Sequence, residues 1–542
     1  MQDKNSYEYQ EIIRNPYCMG FYELKNNCRN YSIISIDPEK DVLTNEYLAG
    51  VVQGELQSAG LIRASRNNTW NNTYLCDPTH HFPKNREPTE TELKKAADCL
   101  RTNYTYLYAW LCRKQGERIA ENIKRLLLRM YGIYRGQKGD APESADFQAL
   151  SPEALGEEAF ILAYGETPLT FLDIYFINAQ MDMFDAISGS LETTYGLHKP
   201  DHCSAFLKRT EDDIFWTHNS WCGFLSQSHT LTYLIRNGET KDFITQNSYC
   251  QGQFGSNMDF GFNGQGICFN ETTHRYSYNQ PQTEGIWLCW RAAAAEMFAG
   301  DIDDFCQHIM ADNTGTYLNG YALIDVNTGE TALLEMSYKT FALFRSHGGD
   351  YTLTEYRTDE SGKQQKTNMS ADDYNPDLLS KEAIFGVNFP VDYTVSNELL
   401  SRDNRPKRRI QFRNEIGKVK DMETAKALIT YVEENEPLSV YGRWDLGHGN
   451  AGGYGKTIPD GAVDSKAFSA KAVKALLDSL QFKPNRESEK TSFWMLYGTA
   501  KINGKPFIWS ESPWKDANKN PEETFVPDRL EGEWTAIRIF ID

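Results

Sequence analysis

No apolar run in this chain approaches the roughly 18–20 residues that cross a bilayer as a helix, and the opening Met1-Gln2-Asp3-Lys4-Asn5 holds no apolar signal region. The expectation is a protein without a transmembrane segment, touching a membrane surface at most transiently. Positive charge is also scarce. Against 75 Asp and Glu stand 56 Lys and Arg, a net charge of -19, so a phosphate backbone is repelled over most of the surface and nucleic acid is excluded as a partner. The 11 cysteines include no Cys-x-x-Cys pair, which removes the best signature of zinc sites and thioredoxin-like centres; no metal and no cofactor is expected. Gly-x-Ser-x-Gly, the phosphate-loop Gly-Lys-Ser/Thr, His-Glu-x-x-His and a full calcium loop are missing too. Gly261-Phe262-Asn263-Gly264-Gln265-Gly266 lacks the strand-turn-helix context of a nucleotide loop and reads as a turn.

What is present centres on Asp201-His202-Cys203-Ser204-Ala205-Phe206-Leu207-Lys208 and Ile214-Phe215-Trp216-Thr217-His218-Asn219-Ser220-Trp221, two apolar-rich runs joined by the charged turn 209–213. This is a β-hairpin pattern. With the turn centred near Thr210 and Glu211, Leu207 falls opposite Ile214 and Cys203 lands within a residue of His218 or Asn219. A thiol and two polar side chains then meet at a sheet end. Taken alone, a cysteine opening a strand is more often a small buried hydrophobe or half of a disulfide than a nucleophile.

At 542 residues the chain is long enough for a sizeable core or several domains. The N-terminal third reads as mostly helical, with helix-like apolar spacing over 92–129 and a second amphipathic helix over 168–188. The glycine-containing stretch 188–199 is an accessible loop before Cys203. After the hairpin, strands dominate (230–235, 243–249, 266–272, 321–325 and 331–335, the last two around Asn327-Thr328-Gly329), with helices over 287–310, 422–434 and 466–481. The polar stretch 359–377 reads as a surface loop. Blocks of strands and helices favour α+β layers over a βαβ sheet.

Several segments, in order, resemble the phospholipase B-like family, a branch of the N-terminal-nucleophile hydrolases. Besides Cys203-Ser204-Ala205 and Thr217-His218-Asn219-Ser220-Trp221 they are Tyr47-Leu48-Ala49-Gly50-Val51-Val52-Gln53-Gly54, Tyr131-Gly132-Ile133-Tyr134-Arg135-Gly136, Pro168 to Asp173, Asp182-Met183-Phe184-Asp185, Asn313-Thr314-Gly315-Thr316-Tyr317-Leu318-Asn319-Gly320 with Leu318 departing from the usual Asn, Arg443-Trp444-Asp445-Leu446, Gly461-Ala462-Val463-Asp464-Ser465-Lys466, Gly498-Thr499 and Phe507-Ile508-Trp509. The resemblance implies a four-layer αββα sandwich with added N-terminal helices. It implies a helical fragment, 1–202, that autocleavage separates but that stays associated as the partner of a catalytic fragment, 203–542.

By the same resemblance Cys203 is the nucleophile, His218 and Trp221 lie beside it, Asn319 donates to an oxyanion and Arg443 is a distal polar support. For His218 a packed structural histidine is the equal alternative; Asn313 alternatively caps the turn at Gly315, and Arg443 alternatively pairs with Asp445. Cys18 and Cys28 are the local disulfide expected in an oxidising compartment. The sequons at Asn30, Asn67, Asn71, Asn103, Asn270 and Asn368 fit a glycoprotein, although about five such triplets arise by chance in so Asn-rich a chain. The implied activity is removal of acyl chains from phospholipids through a thioester, in a lysosome or outside the cell. An amidase acting on N-acyl amides or peptides and a non-catalytic lumenal binding glycoprotein are the alternatives.

Overall fold

The structure, a computed structural model, describes residues 8–70, 76–77, 82–83, 87–195, 203–223, 228–257, 259–274, 281–347, 351–359, 364–369, 382–401, 407–431, 461–498, 507–508, 510, 529–530 and 532–542. Three strands open it: β1 (Glu8–Asn15), β2 (Cys18–Lys25) and β3 (Cys28–Ser35), an antiparallel meander. The expected helical third therefore begins as sheet. In the β2–β3 ladder Cys18 faces Ser35 and Lys25 faces Cys28, so the two cysteines sit at opposite ends of the hairpin. Strand rise of about 3.4 Å per residue carries them far beyond the Cα spacing of about 4–7 Å that a disulfide needs, and both thiols are free.

Among the described residues five helices of two turns or more follow: α1 (Val42–Thr69), α2 (Glu90–Arg113), α3 (Arg118–Lys138), α4 (Phe171–Asn178) and α5 (Gln180–Tyr195). The single helix expected over 92–129 is α2 and α3. It is parted by a turn in which Gly116 takes φ +86°, a value that glycine adopts without steric penalty. The helix expected over 168–188 is also two. Thr170 and Asp173 form a capping box at the start of α4, which is buried on nearly every side rather than amphipathic, and α5 runs to Tyr195, well into the expected loop.

The rest supplies β4 (Cys203–Arg209), β5 (Ile214–Gly223), β6 (His229–Asn237), β7 (Thr240–Ser248), β8 (Phe260–Asn263), β9 (Ile267–Thr273), α6 (Leu288–Phe298), α7 (Ile302–Met310), β10 (Asn319–Asp325), β11 (Glu330–Met336), β12 (Thr340–Ser346), β13 (Thr352–Thr358), β14 (Gln364–Met369), β15 (Ala383–Gly386), α8 (Lys407–Glu415), α9 (Met422–Ile429), β16 (Gly461–Ser469), α10 (Ala470–Ser479), β17 (Thr491–Gly498) and β18 (Thr535–Arg538). Strand β14 replaces part of the surface loop expected at 359–377, and β16 runs through Ser469, past the expected helix start at 466. The helix expected over 287–310 divides into α6 and α7, with Asp301 capping the second.

Two sheets result. One has 12 strands in the order β1-β2-β3-β6-β7-β8-β9-β10-β11-β12-β13-β14, the other six in the order β15-β4-β5-β16-β17-β18. Among the described residues all strand pairs are antiparallel except β3 with β6. The sheets pack face to face through rings: Trp216 stacks on Phe260 at 4.9 Å, Phe468 on Phe262 at 6.3 Å, and Phe493 meets Phe260 edge-on at 5.3 Å. Helices α1 and α6 pack on the outer side of the large sheet, and α9 covers the small one. The fold is an α+β sandwich, layered αββα. Among the described residues no helix is long and apolar enough to cross a membrane.

Candidate active site

Strands β4 and β5 are buried on both faces, so both faces are apolar along much of their length. Leu207 and Trp216 point into the inter-sheet core, while Phe206 and Phe215 join Phe385 and Phe412 on the outer side. The register differs from the sequence expectation by two residues. Arg209 pairs with Ile214, Leu207 with Trp216 and Cys203 with Ser220, because Thr210 and Asp213 close a tight turn: Thr210 N–H donates to the Asp213 carbonyl at 2.8 Å, and Asp213 N–H to Thr210 Oγ1 at 3.0 Å. A two-residue displacement preserves faces. Cys203 and His218 still share the inner face as diagonal neighbours, whereas Asn219 lies on the outer one, accepting from Ser204 N–H (3.0 Å) and donating to the Ile429 carbonyl (3.1 Å).

The Cys203 sulfur, a His218 ring nitrogen and an Asp259 carboxylate oxygen all lie within 4.8 Å of one another, and all three residues are buried. They come from β4, β5 and the residue before β8, so both sheets contribute. His218 Nε2 stands 2.7 Å from the Glu271 carbonyl and Nδ1 3.2 Å from Ser220 Oγ, to which Lys466 Nζ donates at 3.0 Å. A carbonyl only accepts, so the ring proton is on Nε2, and Nδ1 takes the Ser220 hydroxyl proton. Lys466 is itself paired with Asp464 at 2.9 Å. The Cys203 N–H donates to Asn388 Oδ1 at 3.3 Å. Arg408 donates to the Cys203 carbonyl, to Ser204 Oγ (2.8 Å), to the Val387 carbonyl (2.8 Å) and to Asn388 Oδ1 (3.0 Å).

Burial, then the Asp259 and Glu271 charges, push the Cys203 thiol well above its usual range, with Lys466 and Arg408 opposing. Burial, helped by Lys466, holds His218 well below the normal imidazole value. Burial raises Asp259 to about 7, against a hydrogen bond with Glu271 and the charge of Lys466. The site thus holds a protonated thiol beside a neutral imidazole whose nitrogens are both engaged. Three non-glycine residues around the thiol have left-handed backbone: Asp259 (φ +63°), Tyr317 (φ +46°) and Asn388 (φ +68°). Such strain persists where the surroundings over-determine it, and it clusters at functional sites.

Asn319 is buried one strand beyond, opposite Thr273 in the β9–β10 ladder. The Thr273 carbonyl accepts from Asn388 at 2.7 Å, and the Asn319 amide makes no hydrogen bond among the described residues. The side chain of Trp221 and the whole of Arg443 lie outside the described residues. Asn313 is a turn residue: its Oδ1 accepts from Gly315 N–H (3.0 Å) and Arg291 (2.9 Å). Sequence reasoning missed Asp259, Asn388, Arg408, Ser220 and Lys466. Lys466 and Ser220 stood inside the quoted segments, while nothing in the local sequence of Asn388 or Arg408 marks them. A cleft lined by Met181, Phe254, Leu288, Ala293 and Tyr317 also has Asp259 in its wall. Of the sequons, Asn30, Asn103 and Asn270 are core residues.

Other family-like segments are scaffold. A Cβ on Gly50 would stand 2.0 Å from the Arg129 carbonyl oxygen, and one on Gly132 2.1 Å from that of Tyr47; helices α1 and α3 cross backbone to backbone, which only glycine permits. Phospholipase B-like proteins A and B of Dictyostelium discoideum are each 24% identical to the chain, over 58% and 64% of it. Phospholipase B of Crotalus adamanteus is 24% identical over 63% of it. The chain spans about three fifths of the length of these relatives (57%, 61% and 64%). The model of the phospholipase B family matches residues 27–535, and the chain belongs to that family.

Proposed function

We propose that the protein is an N-terminal cysteine hydrolase that activates itself by breaking the His202–Cys203 bond and then releases acyl chains from phospholipids. The carrying observation is the Cys203 thiol at the seam of two sheets, within 4.8 Å of His218 and Asp259. A Cys-His dyad would need a free, basic imidazole nitrogen, and His218 is neutral with both nitrogens spent. The base has to come from elsewhere, and a cysteine at a new N-terminus brings its own.

In maturation the Cys203 sulfur attacks the His202 carbonyl carbon, the C–N bond breaks, the thiol proton passes to the leaving nitrogen, and water hydrolyses the thioester to a His202 carboxylate and a free thiol. The freed α-amino group, whose ordinary pKa is about 7.7–8.0, inherits the place of the Cys203 N–H beside Asn388. It takes the thiol proton as the sulfur attacks an ester carbonyl, returns it to the departing alkoxide, and water clears the acyl thioester. Asn319 is our candidate for an oxyanion donor, since its amide is buried and unspent. Trp221 and Arg443 keep the roles the resemblance implies, as a neighbour of the thiol and a distal support. A lysosomal or extracellular setting is part of the reading.

The test is N-terminal sequencing of material incubated at mildly acidic pH, alongside fatty-acid release from mixed micelles. A fragment starting at Cys203, absent in Cys203→Ala, together with release that the variant lacks, is the expected result. Release at equal rates in both forms would remove the nucleophile. Release from N-acyl amides but not phospholipids would leave the mechanism and change the substrate.

A further inference from the structure

We propose that Cys203, His218 and Asp259 form a binding site for a borderline-soft divalent cation, zinc, seated on the nucleophile. Thiolate, imidazole and carboxylate are the zinc donor set. Zn–S of about 2.3 Å and Zn–N or Zn–O of about 2.0–2.2 Å put tetrahedral ligand atoms about 3.5 Å apart; the three atoms already lie within 4.8 Å, a gap that side-chain rotation closes. The soft sulfur disfavours magnesium and calcium.

The surroundings are built for a metal in two further respects. His218 gives its Nε2 proton to the Glu271 carbonyl at 2.7 Å, the kind of outer-shell hydrogen bond that fixes the ring of a ligating imidazole and leaves the lone pair on Nδ1. Nδ1 now meets only the Ser220 hydroxyl, at 3.2 Å, which can turn away. Charge also balances: a thiolate and a carboxylate neutralise a dication, so the filled site carries no net charge into a buried seam. On binding, the S–H bond breaks, the S–Zn bond forms and the proton leaves to solvent; Asp259 likewise releases a proton where it holds one. The cleft with Asp259 in its wall offers a way in.

One consequence rests on the N-terminal nucleophile reading. Cutting before Cys203 frees an α-amino nitrogen that closes a five-membered N,S chelate with the sulfur of the same residue. The mature form then offers four protein ligands where the uncut chain offers three. Zinc is an inhibitor here, occupying both nucleophile and base, and it binds the mature form more tightly.

The experiment titrates the uncut, reduced protein with Co2+, whose thiolate charge-transfer band in the near ultraviolet reports sulfur ligation, and displaces it with Zn2+. Wild type should show the band, Cys203→Ala should lose it, and Asp259→Asn should weaken binding at least tenfold. Melting without metal, compared across the three forms, establishes that the variants are folded; His218→Gln serves if Asp259→Asn is not. No band in wild type, or an undiminished band in Cys203→Ala, overturns the site. Sequencing the same preparations separates the two ideas. A band in a chain that never cleaves keeps the site and sinks the maturation reading; cleavage without a band does the reverse.

Discussion

Two of the buried charge clusters are finished differently. Beneath α1, the Glu46 carboxylate is held by two arginines: Arg125 Nε donates to Oε1 at 2.9 Å, and Arg129 to Oε2 from Nε at 3.0 Å and from Nη2 at 2.5 Å. Arg125 also reaches Asp242 and covers Phe298 at 4.0 Å, and Arg129 covers Tyr233 at 4.2 Å. Every charge there has its counter-charge and every guanidinium face a ring. In the seam, by contrast, a thiol, an imidazole and a carboxyl crowd together with the thiol pushed up, the imidazole pushed down, and strained backbone around them. Burial in which each charge is answered reads as scaffold, and a thiol, an imidazole and a carboxyl shifted together in one place read as a site.

Breaking each cluster should separate the two kinds. Glu46→Ala leaves Arg129 buried without a carboxylate and Arg125 with Asp242 alone, and should cost about 3–5 kcal/mol, read as a lowered urea midpoint, with activity lost in step with the fold. Cys203→Ala should abolish cleavage and turnover while leaving the midpoint nearly in place. If both variants lose fold and function together, the contrast fails.

A pH series sharpens it. Burial raises Asp173 and Asp392 to about 6, Asp259 to about 7 and Glu335 to about 8. Unfolded carboxyls titrate near 4, so the stability these four supply is complete below that value and is lost as pH rises through about 6–8. His218 and His274, the latter lowered to about 3 by burial and Arg409, act oppositely. Below about 6.5 the unfolded chain binds two protons that the native imidazoles refuse. Four carboxyls outweigh two histidines, and the uncut chain should melt higher at pH 5 than at pH 8. Asp259→Asn should narrow that difference in a thermal-melting series; an unchanged difference would mean that the carboxyl is not held up in the native state.

Smaller effects test the supports. Arg408→Lys keeps a charge but cannot span the four acceptors around Cys203; cleavage should slow by about tenfold, equivalent to about 1.4 kcal/mol, with a smaller shift in melting. Ser220→Ala cuts the Lys466–Ser220–His218 chain and should cost about 1 kcal/mol. It should also raise the His218 pKa measured by NMR if the hydrogen-bonded chain helps hold the ring neutral. No shift there would leave burial and the Lys466 charge as the causes.

The hairpin, the layer type and the shared face of Cys203 and His218 were legible because period-2 alternation survives a register error of two. The register itself depended on Thr210 and Asp213 closing the turn with side-chain and backbone hydrogen bonds, which a centred-turn assumption overlooks. Helix breaks at Gly116, Ala179 and Asp301 were hidden because apolar spacing runs on across them. Strands β1–β3 went unread because the long helices beside them dominated the region. Asp259, Asn388 and Arg408 reach Cys203 across some 50 to 200 residues of chain, and only the sandwich brings them there.

The parallel strand pairing of Arg29 to Ser35 on β3 against His229 to Ile235 on β6 has a kinetic consequence. In the uncut chain this rung closes within one molecule, at a loop-entropy cost that grows only slowly with length. A cut at Cys203 puts β3 and β6 on different polypeptides, so the same rung becomes a bimolecular encounter. The uncut form would refold at any dilution, whereas the cut form, once unfolded, would regain structure only as fast as its two pieces meet. Its lifetime would then be governed by the unfolding barrier instead of an equilibrium, and maturation would fix the fold in place by removing the route back.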